Sequence, residues 1–350
     1  MSYTNGLDKP TDYFNTLLWT GDNTSPRSLT GLDFQPDWVW IKRRSSAKDH
    51  GLFDSVRGGT KKLESNTTDA EINGDNGQIS SFNSDGFSVI TGTADNSGVN
   101  ISGSTFVAWN WLAANGTASN TDGSITSTVS ANITSGFSIV SYTGTGSAAT
   151  IGHGLGVAPS MIITKYRDDI NNWGVYHKNI SAGKYLELNT NIAEASNTAV
   201  WNNTDPTSSV FSVGTNNRAN SAGAMIAYCF AEKKGFSKFG SYTGNGNDDG
   251  VFIYTGFTPA FVIRKRTDST NTWVMFDNKR PEYNVRDKRL GADISDGEAS
   301  GNTNRLDLLS NGFKNRGTAT GSNGSGASYI YMAFAENPFV TSTGIPACAR

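Results

Sequence analysis

Apolar residues fall in short runs along this chain, many alternating with Ser, Thr or Asn, and glycine-rich stretches separate them. No window of helical length keeps an apolar stripe at the 3.6-residue period, whereas alternation at period two recurs throughout. The pattern predicts strands joined by tight turns, an all-β protein. One run organises the rest. Residues 154–165 read as a Gly/Pro-punctuated turn, closed by Pro159, that enters a buried strand at Met161, Ile162 and Ile163. Pro159 has no N–H for a ladder, and the β-branched side chains after it suit a pleated sheet. Residues 31–42 and 256–265 repeat the unit, with Pro36 and Pro259 in the place of Pro159.

Those prolines lie 123 and then 100 residues apart, a period that suits whole domains and not solenoid rungs. Other landmarks keep the same order. Trp19, Tyr142 and Tyr242 each precede a glycine turn, and His50-Gly51-Leu52-Phe53-Asp54 matches the runs that begin at Trp173 and Trp273. Leu63, Leu186 and Leu290 mark a further strand, and Phe87, Phe211 and Phe313 another. Residues 106–111, 225–230 and 330–334 close each unit with alanines between large side chains, which predicts a central strand covered on both faces. The spacing between the second and third units drifts only from 100 to 104 residues.

The order predicts three tandem antiparallel β-sandwich, jelly-roll-like repeats over residues 14–114, 137–232 and 236–340. An arm over 1–13 and a tail over 341–350 flank them. A Ser/Thr/Gly-rich linker over 115–136 has room for an edge strand at residues 124–129. Trp40, Ile163, Ile263, Val107, Ile226 and Tyr331 are expected to be buried.

The 350 residues are enough for several cores. A net charge of -2 offers no basic surface for nucleic acid. No apolar run is long enough to insert in a membrane, and no secretory signal opens the chain. With two cysteines, Cys229 and Cys348, the expectation is free thiols made in a reducing compartment.

Candidate chemistry is sparse. His50, His153 and His177 are the only histidines, and each is read as structural, since neither a nucleophile motif nor metal-ligand spacing accompanies them. The Asn/Asp/Gly loop at 245–250, with Asp248 and Asp249, has calcium-like composition but reads as a hairpin tip. Lys42, Lys165 and Lys265 recur after the Pro-strand unit, with Arg43 and Arg266 beside two of them. They read as strand-end cations facing solvent, paired with Asp54 or Asp277, in preference to contacts for acidic sugars. Trp173 and Trp273 read as core before sugar-stacking surfaces. The sequons at Asn66, Asn115 and Asn132 read as composition. The sequence yields no catalytic, cofactor-binding or metal-binding residue, no cofactor, and no assigned receptor-binding residue.

Residues 122–126 and 136–144, the run Ile151-Gly152-His153-Gly154-Leu155-Gly156-Val157-Ala158-Pro159, and the closing Tyr331-Met332-Ala333-Phe334-Ala335-Glu336-Asn337-Pro338-Phe339 carry a resemblance. They are similar to tail-fibre-like and other virion structural repeat proteins of tailed bacteriophages from marine and aquatic bacteria. The resemblance implies a non-enzymatic virion protein, made in the host bacterial cytoplasm, that acts as a tail fibre or spike component in host attachment. Capsid decoration, a tail or baseplate adaptor, and a surface-polysaccharide depolymerase are the alternatives. Its implied partners are other virion proteins, a host surface glycan and further copies of itself, a homo-oligomer with a trimer favoured. Residues 1–12 or 341–350 are expected to make that assembly contact.

Overall fold

The computed structural model describes residues 6–73, 77–92, 98–301 and 304–346. It is all-β and antiparallel in its sheets; the helical elements among the described residues are one 3-10 turn at Pro10–Asp12 and a four-residue helix at Asn217–Asn220.

Strands of the first stretch are β1 (Phe14–Thr20), β2 (Arg27–Thr30), β3 (Trp38–Arg43), β4 (Gly51–Asp54), β5 (Lys61–Lys62), β6 (Ile72–Asn73), β7 (Gln78–Asn83), β8 (Gly86–Ile90) and β9 (Thr105–Trp111). The linker supplies β10 (Ala118–Asn120) and β11 (Ser127–Asn132). A second stretch holds β12 (Phe137–Gly144), β13 (Ala149–Gly152), β14 (Met161–Tyr166), β15 (Gly174–His177), β16 (Lys184–Tyr185), β17 (Ala195–Ser196), β18 (Val210–Val213) and β19 (Gly223–Phe230). The third holds β20 (Ser237–Thr243), β21 (Phe252–Tyr254), β22 (Phe257–Arg266), β23 (Val274–Asp277), β24 (Lys288–Gly291), β25 (Ala299–Ser300), β26 (Arg305–Leu309), β27 (Gly312–Arg316) and β28 (Ser328–Pro338).

One strand order recurs. The large sheets run β1-β9-β3-β4, β12-β19-β14-β15 and β20-β28-β22-β23, and the smaller ones pair β2 with β8, β13 with β18 and β21 with β27. Their registers agree to the residue. Phe14, Phe137 and Ser237 face Trp111, Phe230 and Phe334, while Trp40, Ile163 and Ile263 face Leu52, Val175 and Met275. The closing strands are central, as their alternation of alanine with large side chains requires. The linker differs from expectation. It adds the hairpin β10–β11 to β12, and its strand begins at Ser127 and not at residue 124, because Ile125 instead bridges Ile151 in parallel.

Alternation gives each large sheet two buried faces. One face packs on its smaller sheet: Val39, Ile41, Phe53 and Phe106 meet Leu29, Phe87 and Val89. The other face enters a core shared by all three stretches, where Trp38, Trp40, Ile163, Tyr228, Ile263 and Met332 meet. The equivalent residues Trp111, Phe230 and Phe334 form its centre, with ring centroids 5.6, 6.0 and 6.4 Å apart and tilts of 61–75°. Edge-to-face geometry of this kind suits the aromatic quadrupole. All six residues expected to be buried are buried. Tyr331 lies on the outer core face, however, and the residue in register with Val107 and Ile226 is Ile330.

Hydrogen bonds join the stretches in cyclic order. Trp173 Nε1 donates to Glu64 O at 3.0 Å and Trp273 Nε1 to Glu187 O at 2.8 Å, while His50 Nε2 reaches Gly291 O at 2.9 Å. The backbone repeats the circuit through Asn171 N to Thr68 O, Asn271 N to Asn191 O and Lys48 N to Ser295 O. Second joins first, third joins second, and first joins third. The first and last described segments also meet. Leu7 lies in the shared core, and Ser342 N donates to Asp8 Oδ1 at 2.6 Å.

Candidate functional site

The seams between stretches hold the three repeated lysines, two of the histidines and both aspartates singled out by sequence, and all seven are buried. Lys42, Lys165 and Lys265 are fully buried, which corrects their reading as solvent-facing partners of Asp54 or Asp277. They share a strand face with Trp38, Trp40 and their equivalents, so they point into the seams. Lys42 Nζ donates to Lys48 O and Ser295 O at 2.6 and 2.8 Å. Lys165 Nζ reaches Thr68 O and Tyr166 O, and Lys265 Nζ reaches Asn191 O and Arg266 O. Burial pushes all three ammonium groups down to about 8.

Asp54 and Asp277 take other partners. Arg57 Nε lies 2.5 Å from Asp54 Oδ2 and Arg280 Nε 2.6 Å from Asp277 Oδ2. Tyr228 Oη donates to Asp54 at 2.8 Å and Trp109 Nε1 to Asp277 at 3.0 Å, each across a seam. At the third seam the equivalent donor is Met332, which has none to offer. There the aspartate is His177 and the arginine is Ile180. The three exchanges go together because a buried carboxylate without donors is costly.

Each histidine nitrogen is satisfied. Trp40 Nε1 donates to His50 Nδ1 and Asn179 N to His177 Nδ1, so the Nε2–H of each ring donates to Gly291 O and Tyr331 O. Burial pushes His50 down to about 3 and His177 to about 4. His153 accepts from Leu155 N and bonds Thr207 O.

Other singled-out residues are likewise occupied. Trp173 and Trp273 are core, Arg266 pairs with Asp268 at 2.7 Å, and Arg43 is half-buried. Asp249, in the 245–250 loop, pairs with Lys314 and Arg316. Asn66 bonds His50 N, and Asn132 binds Ala113 O. Cys229 is a buried free thiol whose ionisation burial pushes up; Cys348 lies outside the described residues. Among the described residues no group of three His, Cys, Asp or Glu is placed to hold a metal ion.

One open site lies where the third stretch departs from its siblings. The loop after β4 covers residues 55–60 and the loop after β15 covers 178–183, but the loop after β23 covers 278–287 and is four residues longer. It docks on β26: Asn284 exchanges side-chain hydrogen bonds with the Leu308 backbone at 2.8 and 2.9 Å, and Arg286 bridges Leu306. Behind it opens a cleft of about 660 Å³ lined by Thr258, Asn278, Glu282, Tyr283, Arg286 and Glu336. Tyr283 stands 80% exposed at the rim. Asn278 is nine-tenths buried, and its Oδ1 has no hydrogen-bond partner among the described residues.

The outer face of β21 departs in the same direction. Pairing aligns Phe252 with Ser28 and Thr150, and Tyr254 with Thr30 and Gly152. Phe252 and Tyr254 are 46% and 59% exposed. At Gly152 the linker comes so close that a Cβ would collide with Asn120. The sequence reading missed the cleft. Its signal was present in the drift from 100 to 104 residues between Trp273 and Leu290, which is the inserted length.

Residues 9–338 match the family described as a domain of unknown function, DUF7483. The chain belongs to this family. No curated protein and no solved structure matches it. The family extends over all three stretches, so the ring and the third-stretch cleft both lie within the matched region.

Proposed function

We propose that this DUF7483 chain is a structural protein of a bacteriophage virion, a tail-fibre or spike component that contacts the host cell surface by binding and not by bond cleavage. Its architecture is three tandem antiparallel β-sandwich, jelly-roll-like units, at 14–114, 137–232 and 236–340, closed into a ring. The virion setting rests on the sequence resemblance. The observation that carries the contact role is the asymmetry of the ring: three matched units share one core, and the third adds a longer docked loop, the cleft behind it and the exposed aromatics. An interior engaged in packing, with exposed aromatics and an open cleft together on the third unit, suits an adhesive body.

The cyclic seams support one further point. Three units of one chain supply the threefold order expected of a homotrimer, so we assign one chain per particle. Leu7 and Pro10 are buried in their own chain and Ser342 bonds Asp8, which favours that assignment. Light scattering should give the mass of one chain, and a threefold mass would reinstate the trimer. Gold-labelled antibody on intact virions should mark the tail tip or fibres. Label on the head would instead support capsid decoration, to which a threefold body is also suited. Release of reducing ends from host polysaccharide would replace binding by depolymerase activity.

A further inference from the structure

We propose that the cleft behind residues 278–287 binds a neutral saccharide, with Tyr283 as its stacking face; this rests on the host-contact reading above. A pyranose presents an apolar C–H face and a rim of hydroxyls. The cleft offers the counterpart: an exposed phenol ring, Pro259 and Leu308 as apolar wall, and amide, carboxylate and guanidinium groups from Asn278, Glu336 and Arg286.

Glu336 is the decisive polar group. Its equivalent in the second stretch, Glu232, is held by Lys178 and Lys238, each at 2.6 Å. Among the described residues Glu336 makes no ion pair, so its oxygens stay available to hydroxyl donors. Glu282 and Glu336 balance Lys279 and Arg286 around the opening. With two carboxylates offset by two cations the opening has no net charge to draw an ionised sugar out of water, and that favours a neutral ligand.

The loop is also already ordered. Asn284 and Arg286 stitch it to β26 through four hydrogen bonds between 2.8 and 3.2 Å. Tyr283 is thus held out in solvent by a fixed backbone, and binding need not pay for ordering that loop. Tyrosine gives large contact area for few rotatable bonds, which is why it serves as an anchor at recognition surfaces.

Saturation-transfer NMR and titration calorimetry on the full chain test this, using neutral hexasaccharides of glucan, mannan and galactan and a galacturonate hexasaccharide as the acidic probe. At least one neutral probe should bind saturably and the acidic probe should not. Tyr283→Ala and Glu336→Ala should each weaken binding about tenfold, while Ile170→Ala, exposed on the second stretch, should leave it unchanged. Circular dichroism melts confirm that the variants are folded. No binding by any neutral probe, preference for galacturonate, or indifference to both cleft variants overturns the site. Adsorption of labelled protein to host cells separates the two claims. Equal adsorption by wild type and Tyr283→Ala would remove the cleft and keep host contact. Saccharide binding that depends on Tyr283, without cell adsorption, would keep the cleft and remove the host role.

Discussion

The third stretch and the first two share strand order, pairing register and a common core, yet they spend their surfaces differently. Among the described residues the exposed large aromatics are Phe252, Tyr254 and Tyr283, all in the third stretch. At the positions in register with Phe252 and Tyr254, the first stretch has Ser28 and Thr30 and the second has Thr150 and Gly152. Packing constrains the inner faces of all three units, and the exchange of Asp54 and Asp277 for His177 there comes with compensating changes at its partners. The outer faces carry no such constraint: there the second stretch gains the β10–β11 hairpin, and the third its longer loop and exposed aromatics. The comparison separates residues that hold the ring from residues free to do something else.

The sharpest way to break it is at a seam. Asp54→Ala leaves Arg57 buried with Glu71 as its remaining carboxylate, and leaves Tyr228 Oη without its acceptor. The expected loss is about 3–5 kcal/mol by chemical denaturation. If the unfolding midpoint hardly moves, the seams are not what closes the ring.

Acid should produce the next largest effect. Unfolded chains bind protons at imidazole near pH 6.5, whereas burial keeps His177 neutral until about 4 and His50 until about 3. Between those values the unfolded state holds more protons, so stability falls as pH falls from 6.5 toward 4. Urea midpoints across that range should decline for the wild type and decline less for His177→Gln. A flat wild-type profile between pH 7 and 5 would mean that water reaches both rings.

Much of the ring was legible in the sequence because burial forces a pattern. Pro36 and Pro159 lead into β3 and β14, and Trp111, Phe230 and Phe334, matched by spacing alone, meet in space. Pro259 sits two residues before the same register, at a bulge inside β22 and not in a turn. The cyclic order was not legible, since Lys42 to Ser295 and Lys165 to Thr68 are side-chain bonds to backbone carbonyls, which leave no signature in residue type. A lysine after a strand looks solvent-facing until a neighbouring loop is known to cover it. The cleft was missed for a related reason: four extra residues read as drift unless their flanking strands are already in register.

Exchange at one seam tests whether equivalent positions are truly interchangeable. Trp40 with His50 occupies the space that Ile163 with Trp173, and Ile263 with Trp273, occupy elsewhere. His50→Trp alone should overpack the site and deprive Trp40 Nε1 of its acceptor, at about 1–3 kcal/mol. Adding Trp40→Ile should recover most of the loss, giving a coupling well outside additivity. Additive losses in the double variant would show that the two seams pack differently despite their shared register.

The smallest expected effect on stability is the one that sharpens the contrast most. Phe252, Tyr254 and Tyr283 are exposed and belong to none of the buried core clusters, so alanine at each should shift stability by less than about 0.5 kcal/mol. The same change at inward-facing Ile253, between the two β21 aromatics, removes a side chain packed with Phe313 and should cost about 2–5 kcal/mol. Thermal melts of the four variants decide the matter. If the outer aromatics cost as much as Ile253, they are part of the packing of the smaller sheet, and the third stretch is structurally like its siblings. If they cost nothing, three large apolar rings stand in solvent on one unit without contributing to the fold, and selection for a contact is the physical reason left for keeping them there.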